Sequence, residues 1–68
     1  MGTIIYEGLN YNHACYKIHK ILGEELEKNL EIKYSDNLLR CGFYLDGHEI
    51  AYHDSKKDKL VVYYKNID

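Results

Sequence analysis

The Asp46-Gly47 pair lies between two stretches in which polar and apolar residues alternate, and it limits the folds open to this chain more than any other feature. Asp-Gly is typical of a type I′ turn, whose two central residues take positive φ and which connects the strands of a β-hairpin. We therefore expect residues 38–45 and 48–53 to pair as antiparallel strands. The length of the loop also fixes the register of the hairpin, and hence the direction of each side chain.

Counting outward from this loop sorts the hairpin side chains into an apolar face and a polar face. The apolar face receives three pairs: Leu45 with His48, Phe43 with Ile50, and Cys41 with Tyr52. The polar face receives three others: Tyr44 with Glu49, Gly42 with Ala51, and Arg40 with His53. Because the turn chemistry and the apolar pattern agree, we expect the first face to pack on the core and the second to face solvent.

An amphipathic helix is predicted over residues 11–30. Either Asn10 or Asn12 can be the N-cap, since the side-chain oxygen of each can accept from a free amide of the first turn. Apolar side chains then recur every three or four residues, which is the spacing of one helix face: Tyr11, Ala14, Cys15, Ile18, Ile21 and Leu22. The apolar stripe drifts beside Gly23, a poor helix former, so a bend or a register adjustment is expected there.

These elements predict a single α+β domain spanning residues 1–68. A strand at residues 4–7 precedes the helix, and residues 60–64 form a third strand after the hairpin. The expected architecture is one amphipathic helix packed on a three- to four-stranded, largely antiparallel sheet, in the order β-α-β-β-β. Its predicted core consists of Ile18, Ile21, Leu22, Leu26, Phe43, Ile50, Tyr52 and Val62.

No catalytic, cofactor or metal site is expected from the histidines and cysteines. Cys15 and His19 share a helix face, but a nucleophile also needs an orienting group and a cleft that excludes water. The five-residue separation of His48 and His53 places them on opposite faces of a strand, whereas zinc needs converging ligands. We expect the two cysteines to be reduced and to fill apolar space.

The formal net charge of −2 and the nine lysines and arginines give no basis for direct nucleic-acid binding. No apolar run approaches the roughly 18 residues of a membrane span, so no membrane association is expected. Residues 1–7 lack the basic start and long apolar run of a secretory signal. We therefore expect a soluble, cytoplasmic protein.

The polar face of the sheet is the predicted protein-binding surface. It is expected to carry Arg40, Tyr44 and His53, joined by Tyr63 or Tyr64. Arginine and tyrosine are enriched at the energetic centres of interfaces, and this short chain holds eight tyrosines. Tyrosine also has a high β propensity, so an ordinary solvated sheet face explains the pattern equally well. A homodimer through the same face is a further prediction.

Two hypotheses of function follow. The first is a small non-catalytic module that binds another protein, such as a phage or mobile-element accessory or inhibitor protein acting on a host protein. Lys, Ile, Asn and Tyr fill 28 of the 68 positions, a bias typical of A/T-rich coding genomes. The alternative is a mimic of nucleic acid that inhibits a DNA-handling protein through an acidic helix face at Glu24, Glu27 and Glu31.

Overall fold

A computed structural model describes residues 2–63 of the chain. Within them, one helix accompanies a five-stranded antiparallel sheet with the strand order β1-β5-β4-β3-β2. In chain order the elements are β1 (Ile4–Glu7), α1 (Tyr11–Glu27), β2 (Leu30–Tyr34), β3 (Arg40–Leu45), β4 (His48–Asp54) and β5 (Lys59–Val62). The α+β class is thus confirmed, with one strand more than the three to four expected. The end of the third predicted strand, at Tyr64, lies outside the described residues.

The strands β2 to β5 form a meander, in which each strand pairs with the one that follows it. The N-terminal strand β1 lies at the far edge, where Ile4 pairs with Val62 and Tyr6 with Leu60 of β5. Since β1 and β2 occupy opposite edges, α1 connects the two edges of the sheet. The helix covers one face of the sheet and leaves the other face, called here the outer face, without a packed layer among residues 2–63.

The helix begins at Tyr11, as predicted, and the structure selects Asn10 of the two candidate caps: its side-chain oxygen accepts from the backbone N–H of His13 at 2.9 Å. It kinks at Gly23, where φ is 81° and ψ is 173°, and the helical conformation continues only to Glu27. Leu30, which the sequence assigned to the helix, instead opens β2. The kink also explains Leu26, which was expected in the core and is 37% exposed.

The hairpin has the predicted register only next to its turn. Leu45 pairs with His48 and Tyr44 with Glu49, as expected, but a β-bulge then shifts the pairing by one residue. Beyond the bulge the pairs are Phe43 with Ala51, Gly42 with Tyr52, Cys41 with His53 and Arg40 with Asp54. A bulge sets two residues of one strand against one of its partner. Ile50 is the extra residue on β4, and it is buried at 6% exposure.

This shift exchanges the faces of three side chains on β4. Ala51, predicted on the outer face, is fully buried in the core. His53, predicted on the outer face, points into the core with 1% exposure, and Tyr52, predicted in the core, lies on the outer face. All three predictions are wrong for the same reason, which is the extra residue at Ile50. The buried imidazole donates from Nε2 to the backbone carbonyl of Leu9 at 2.7 Å. The rings of His53 and Tyr11 make an edge-to-face contact, with their centroids 6.2 Å apart.

The core otherwise resembles the prediction. Helix residues pack on residues of the inner sheet face: Ala14, Ile18, Leu22, Cys41, Phe43, Leu45, Ile50, Ala51, Leu60 and Val62. Ile21 is partly buried against them. Both cysteines are free, and burial raises the pKa of the Cys41 thiol to about 11. Such a thiol remains protonated at neutral pH and acts as apolar filler.

Replacing Gly23 with Ala is expected to lower the free energy of unfolding by about 1–3 kcal/mol, because the conformation at this kink is open essentially to glycine alone. Chemical denaturation followed by circular dichroism measures this loss. Gly2→Ala is the matched control, since a Cβ at position 2 meets nothing within 4 Å. Equal stability of the two variants would contradict a strained kink at Gly23.

Replacing His53 with Ala is expected to cost about 3 kcal/mol, because it removes the bond to Leu9 and leaves a cavity in the core. The control is His48→Ala at the exposed end of the hairpin, with an expected cost below about 0.5 kcal/mol. The midpoints of chemical denaturation of the two variants, each compared with the wild type, measure these costs. Equal small losses would mean that His53 faces solvent and that the bulge is absent.

Candidate functional site

The outer face of the sheet carries a group of aromatic and charged side chains, called here the outer-face cluster: Arg40, Tyr44, Glu49, Tyr52 and Tyr63. Strand alternation places the β3 members, since Arg40 and Tyr44 alternate with the buried side chains of that strand. The bulge at Ile50 brings Tyr52 to the same face as Glu49. The cluster is therefore a product of two neighbouring central strands and of the residue that follows β5.

The guanidinium group of Arg40 is held at both its edge and its face. Its two terminal nitrogens each donate to one carboxylate oxygen of Glu49, both at 2.9 Å. Its carbon Cζ lies 4.1 Å from the centroid of the Tyr52 ring. Bidentate pairing gives the strongest form of a charge-assisted hydrogen bond, and stacking on an aromatic ring adds a cation–π attraction. Arg40 is thus fixed in one orientation, although its side chain is 45% exposed.

Glu49 joins the arginine to a second tyrosine, because its carboxylate also accepts a hydrogen bond from the Tyr63 hydroxyl. The hydrogen bonds from Arg40 hold the pKa of Glu49 below its usual value. Burial, followed by the bond to this carboxylate, raises the pKa of Tyr63 to about 12. At neutral pH the carboxylate is therefore charged and the phenol neutral. The rings of Tyr52 and Tyr63 also lie side by side, with centroids 6.4 Å apart.

Gly42 has no side chain, and the side chains of Glu49 and Tyr44 occupy the space next to its backbone. A Cβ at this position would lie 2.5 Å from Oε2 of Glu49 and 2.8 Å from Cε1 of Tyr44. The absence of a side chain thus allows the Tyr44 ring to lie close to the backbone of its own strand. On the other side, Nζ of Lys33 lies 4.7 Å from the centroid of that ring. A second cation–π contact therefore borders the cluster toward β2.

A row of charges of alternating sign crosses the outer face beside the cluster. Cross-strand pairing sets Glu7 beside Lys59, Lys59 beside Asp54, and Asp54 beside Arg40. Opposite charges at paired positions stabilise a sheet modestly. The face therefore has mixed polarity, which differs from the single-sign field that attracts a polyanion or imitates one.

The structure brings together three of the four side chains that the sequence predicted for a binding surface. Arg40, Tyr44 and Tyr63 all belong to the outer-face cluster, whereas His53 lies in the core. Sequence reasoning missed Tyr52, which the bulge turns outward, and it did not single out Glu49 as the acceptor that links Arg40 to Tyr63. The Asp-Gly loop contains no signal for a bulge several residues away. The remaining candidate, Tyr64, lies outside the described residues.

The three predicted acidic residues do not share a helix face. Glu24 and Glu27 lie on the short helical segment after the kink, whereas Glu31 lies on β2 opposite Tyr44. Glu27 also has a local partner, since its Oε2 lies 3.1 Å from Nδ1 of His19. The predicted acidic helix face is wrong because the helix ends at Glu27.

Other features of residues 2–63 offer less for chemistry. No three His, Cys, Asp or Glu side chains in this part of the chain are grouped so that they could hold a metal ion. An open depression of about 410 Å³ lies between the two turns that follow α1 and β3, lined by Lys28, Asn29, Leu30, Glu31, Asp46 and Gly47. The helix of the described chain is too short and too polar to cross a membrane.

Comparison with known protein families, with curated proteins and with solved structures finds no significant match to this chain.

Replacing Glu49 with Gln is expected to lower the free energy of unfolding at pH 7 by about 1 kcal/mol, since half of a partly exposed ion pair is lost. The pKa of Glu49 is lower in the folded protein than in the unfolded chain. The contribution of ionised Glu49 to the free energy of unfolding is therefore fully present above pH 4.5, the ordinary pKa of a glutamate. It is lost as the pH falls through the lower pKa of the folded protein.

Unfolding measured between pH 7 and pH 2 tests this expectation. The difference between wild type and Glu49→Gln should shrink toward zero at the acid end of the series. Glu24→Gln, on the exposed end of α1, is the control and should follow the wild type throughout. A constant difference at all pH values would contradict an ionised Glu49 in the cluster.

Proposed function

We propose that this protein is a small non-catalytic module that binds another protein through its outer-face cluster. The observation that carries the proposal is the network on an uncovered sheet face, in which Arg40 is paired with Glu49, stacked on Tyr52 and linked through Glu49 to Tyr63. Tyrosine and arginine supply most of the binding energy at many interfaces. Here they are concentrated on two adjacent strands and on Tyr63, the residue that follows β5.

The fixed geometry of the outer-face cluster favours binding because its side chains are already ordered before a partner binds. A free arginine side chain carries about 2 kcal/mol of rotamer entropy, which an interface must otherwise remove. The bidentate contact and the stacked ring already restrict Arg40. Tyrosine loses little entropy on binding because it has few rotatable bonds. The cluster therefore has the properties of a preorganised contact surface.

The chemistry of the cluster indicates the kind of partner surface that would complement it. The rings of Tyr44, Tyr52 and Tyr63 offer apolar area, and the guanidinium of Arg40 has more N–H donors than Glu49 uses. A complementary surface would combine apolar side chains with a carbonyl or carboxylate acceptor. The row of mixed charges next to the cluster would set the orientation rather than the strength of binding.

We further assign the protein to the cytoplasm and to the class of accessory or inhibitor proteins of phages or mobile elements that act on a host protein. Two free cysteines suit a reducing compartment. Residue usage typical of A/T-rich genomes supports the second assignment.

Alanine at Arg40 and at Tyr44 tests the site. Immobilised wild-type protein and the two variants are each incubated with lysate of the native host, and retained proteins are identified by mass spectrometry. We expect a host protein that is retained by the wild type and lost with both variants. With that host protein purified, each substitution should weaken binding at least tenfold, which is about 1.4 kcal/mol.

The matched control is Tyr16→Ala on the helix. Tyr16 is also exposed, and its ring centroid lies 5.4 Å from Nζ of Lys20. This variant should bind as the wild type does, and circular dichroism should show all variants folded. Unchanged affinity of both outer-face variants, or equal losses in the control, would refute the site.

A further inference from the structure

The edge strand β1 exposes apolar side chains on both of its faces. Ile4, on the helix side, is 48% exposed, and Ile5, on the outer side, is 52% exposed. Their cross-strand neighbours on β5, Val62 and Val61, are 1% and 7% exposed. Burial of the paired apolar side chains is therefore lost between β5 and its neighbour β1. It arises because no strand among residues 2–63 pairs with the outer edge of β1.

The two edges of the sheet differ in how they meet solvent. Proteins usually protect an edge strand with charged residues, proline or a bulge, because its free backbone groups can pair with another chain. At the other edge, β2 carries Glu31 and Lys33 in its centre. In β1 the only charge is Glu7 at the end of the strand, and the register with β5 is uninterrupted. The edge at β1 is therefore left open to pairing.

We propose that β1 pairs in an antiparallel manner with β1 of a second copy of this chain, on a twofold axis through Ile5. Two five-stranded sheets then form one continuous sheet of ten strands. In this register Ile5 meets Ile5 of the second copy, Ile4 meets Tyr6, and Thr3 meets Glu7. Both helices lie on one side of the joined sheet, and both outer faces lie on the other.

The side chains of β1 favour this register over its neighbours. Opposed residues in an antiparallel pair point to the same side of the sheet. A shift of one residue would set Ile4 against Glu7 and place the two helices on opposite sides. With the axis at Ile5, the exposed isoleucines are covered by Ile5 and Tyr6, and the two Glu7 side chains are at opposite ends of the pairing. The strand thus complements itself.

The position of Tyr6 supports the pairing because that side chain is already held on the helix side. Nζ of Lys17 lies 4.7 Å from the centroid of the Tyr6 ring. The ring can therefore cover Ile4 of the second copy without first being ordered. A joint of one short strand from each copy is smaller than the roughly 1,200 Å² of a stable interface, so the dimer is expected to be weak and dependent on concentration.

Ile5→Cys provides the sharpest test of the register. Directly opposed residues in an antiparallel pair have Cα atoms about 4.5–5.5 Å apart, which is the separation that a disulfide spans. Mild oxidation should therefore convert Ile5→Cys to a covalent dimer. The wild type controls for Cys15 and Cys41, and Leu39→Cys controls for exposure, since Leu39 is 42% exposed away from β1. Both controls should remain largely monomeric.

Sedimentation velocity over a range of concentrations tests the dimer without cross-linking. The wild type and Ile5→Val should sediment as dimers at high concentration. Ile5→Lys should dissociate at least tenfold more readily while keeping the wild-type circular dichroism spectrum, because two lysines would meet on the axis. Hydrogen exchange of the β1 amides should slow as the dimer forms.

A monomer at every concentration would overturn the proposal, and so would equal cross-linking of Ile5→Cys and Leu39→Cys. Slow exchange in a monomer of those β1 amides that point away from β5 would also overturn it, because the edge would then be covered from within the same chain. The outcome is independent of the outer-face cluster, since Arg40→Ala alters the cluster and leaves β1 intact. Arg40→Ala should therefore dimerise as the wild type does.

Discussion

The bulge at Ile50 decides which side chains of β4 face the core, and the rest of the structure depends on that choice. A strand has a period of two, so one extra residue reverses the direction of every side chain beyond it. His53 consequently enters the core and bonds to the Leu9 carbonyl, while Tyr52 emerges beneath Arg40. Without the bulge, the imidazole would face solvent and the arginine would lose its aromatic support.

The outer-face cluster shows how a small domain can hold charged groups in fixed positions on an open surface. Exposed ion pairs are weak because two long side chains must be ordered in water. Here the Tyr52 ring orders the arginine, and the Tyr63 hydroxyl orders the carboxylate of Glu49. Gly42 contributes by leaving room for both Glu49 and Tyr44. The result is a surface whose geometry exists without a partner, which is the physical basis of the proposed binding function.

Local signals in the sequence predicted the elements well but predicted their faces only in part. The bend at Gly23 and the Asp46-Gly47 turn depend on neighbouring residues, and each is confirmed. The N-cap is one of the two asparagines predicted for it, Asn10. The end of the helix was missed because the pattern from residue 24 to 30 suits both a helix and a turn followed by a strand. The bulge at Ile50 was missed because it follows from packing across the whole sheet.

For the candidate site, the predictions that survive are Tyr63, after β5, and the two residues of β3, a strand whose alternation is regular from Arg40 to Leu45. The errors are confined to β4 beyond the bulge, which explains why His53 was assigned to the surface and Tyr52 was not. Glu49 could have been found from its pairing with Tyr44, which the turn already predicted. Its role as the link to Tyr63 depends on the path of the chain after β5, which no local pattern describes.

The sheet order also has a consequence for the sequence of events during folding. Each strand from β2 to β5 pairs with its neighbour along the chain, so these contacts close short loops at a small entropic cost. The strand β1 must instead find β5 at the opposite end of the described chain, and Leu9 is then fixed by its N–H to Asp58 and by its carbonyl to His53. We therefore expect the N-terminal strand to be added to a meander that already exists, so that its docking closes the fold.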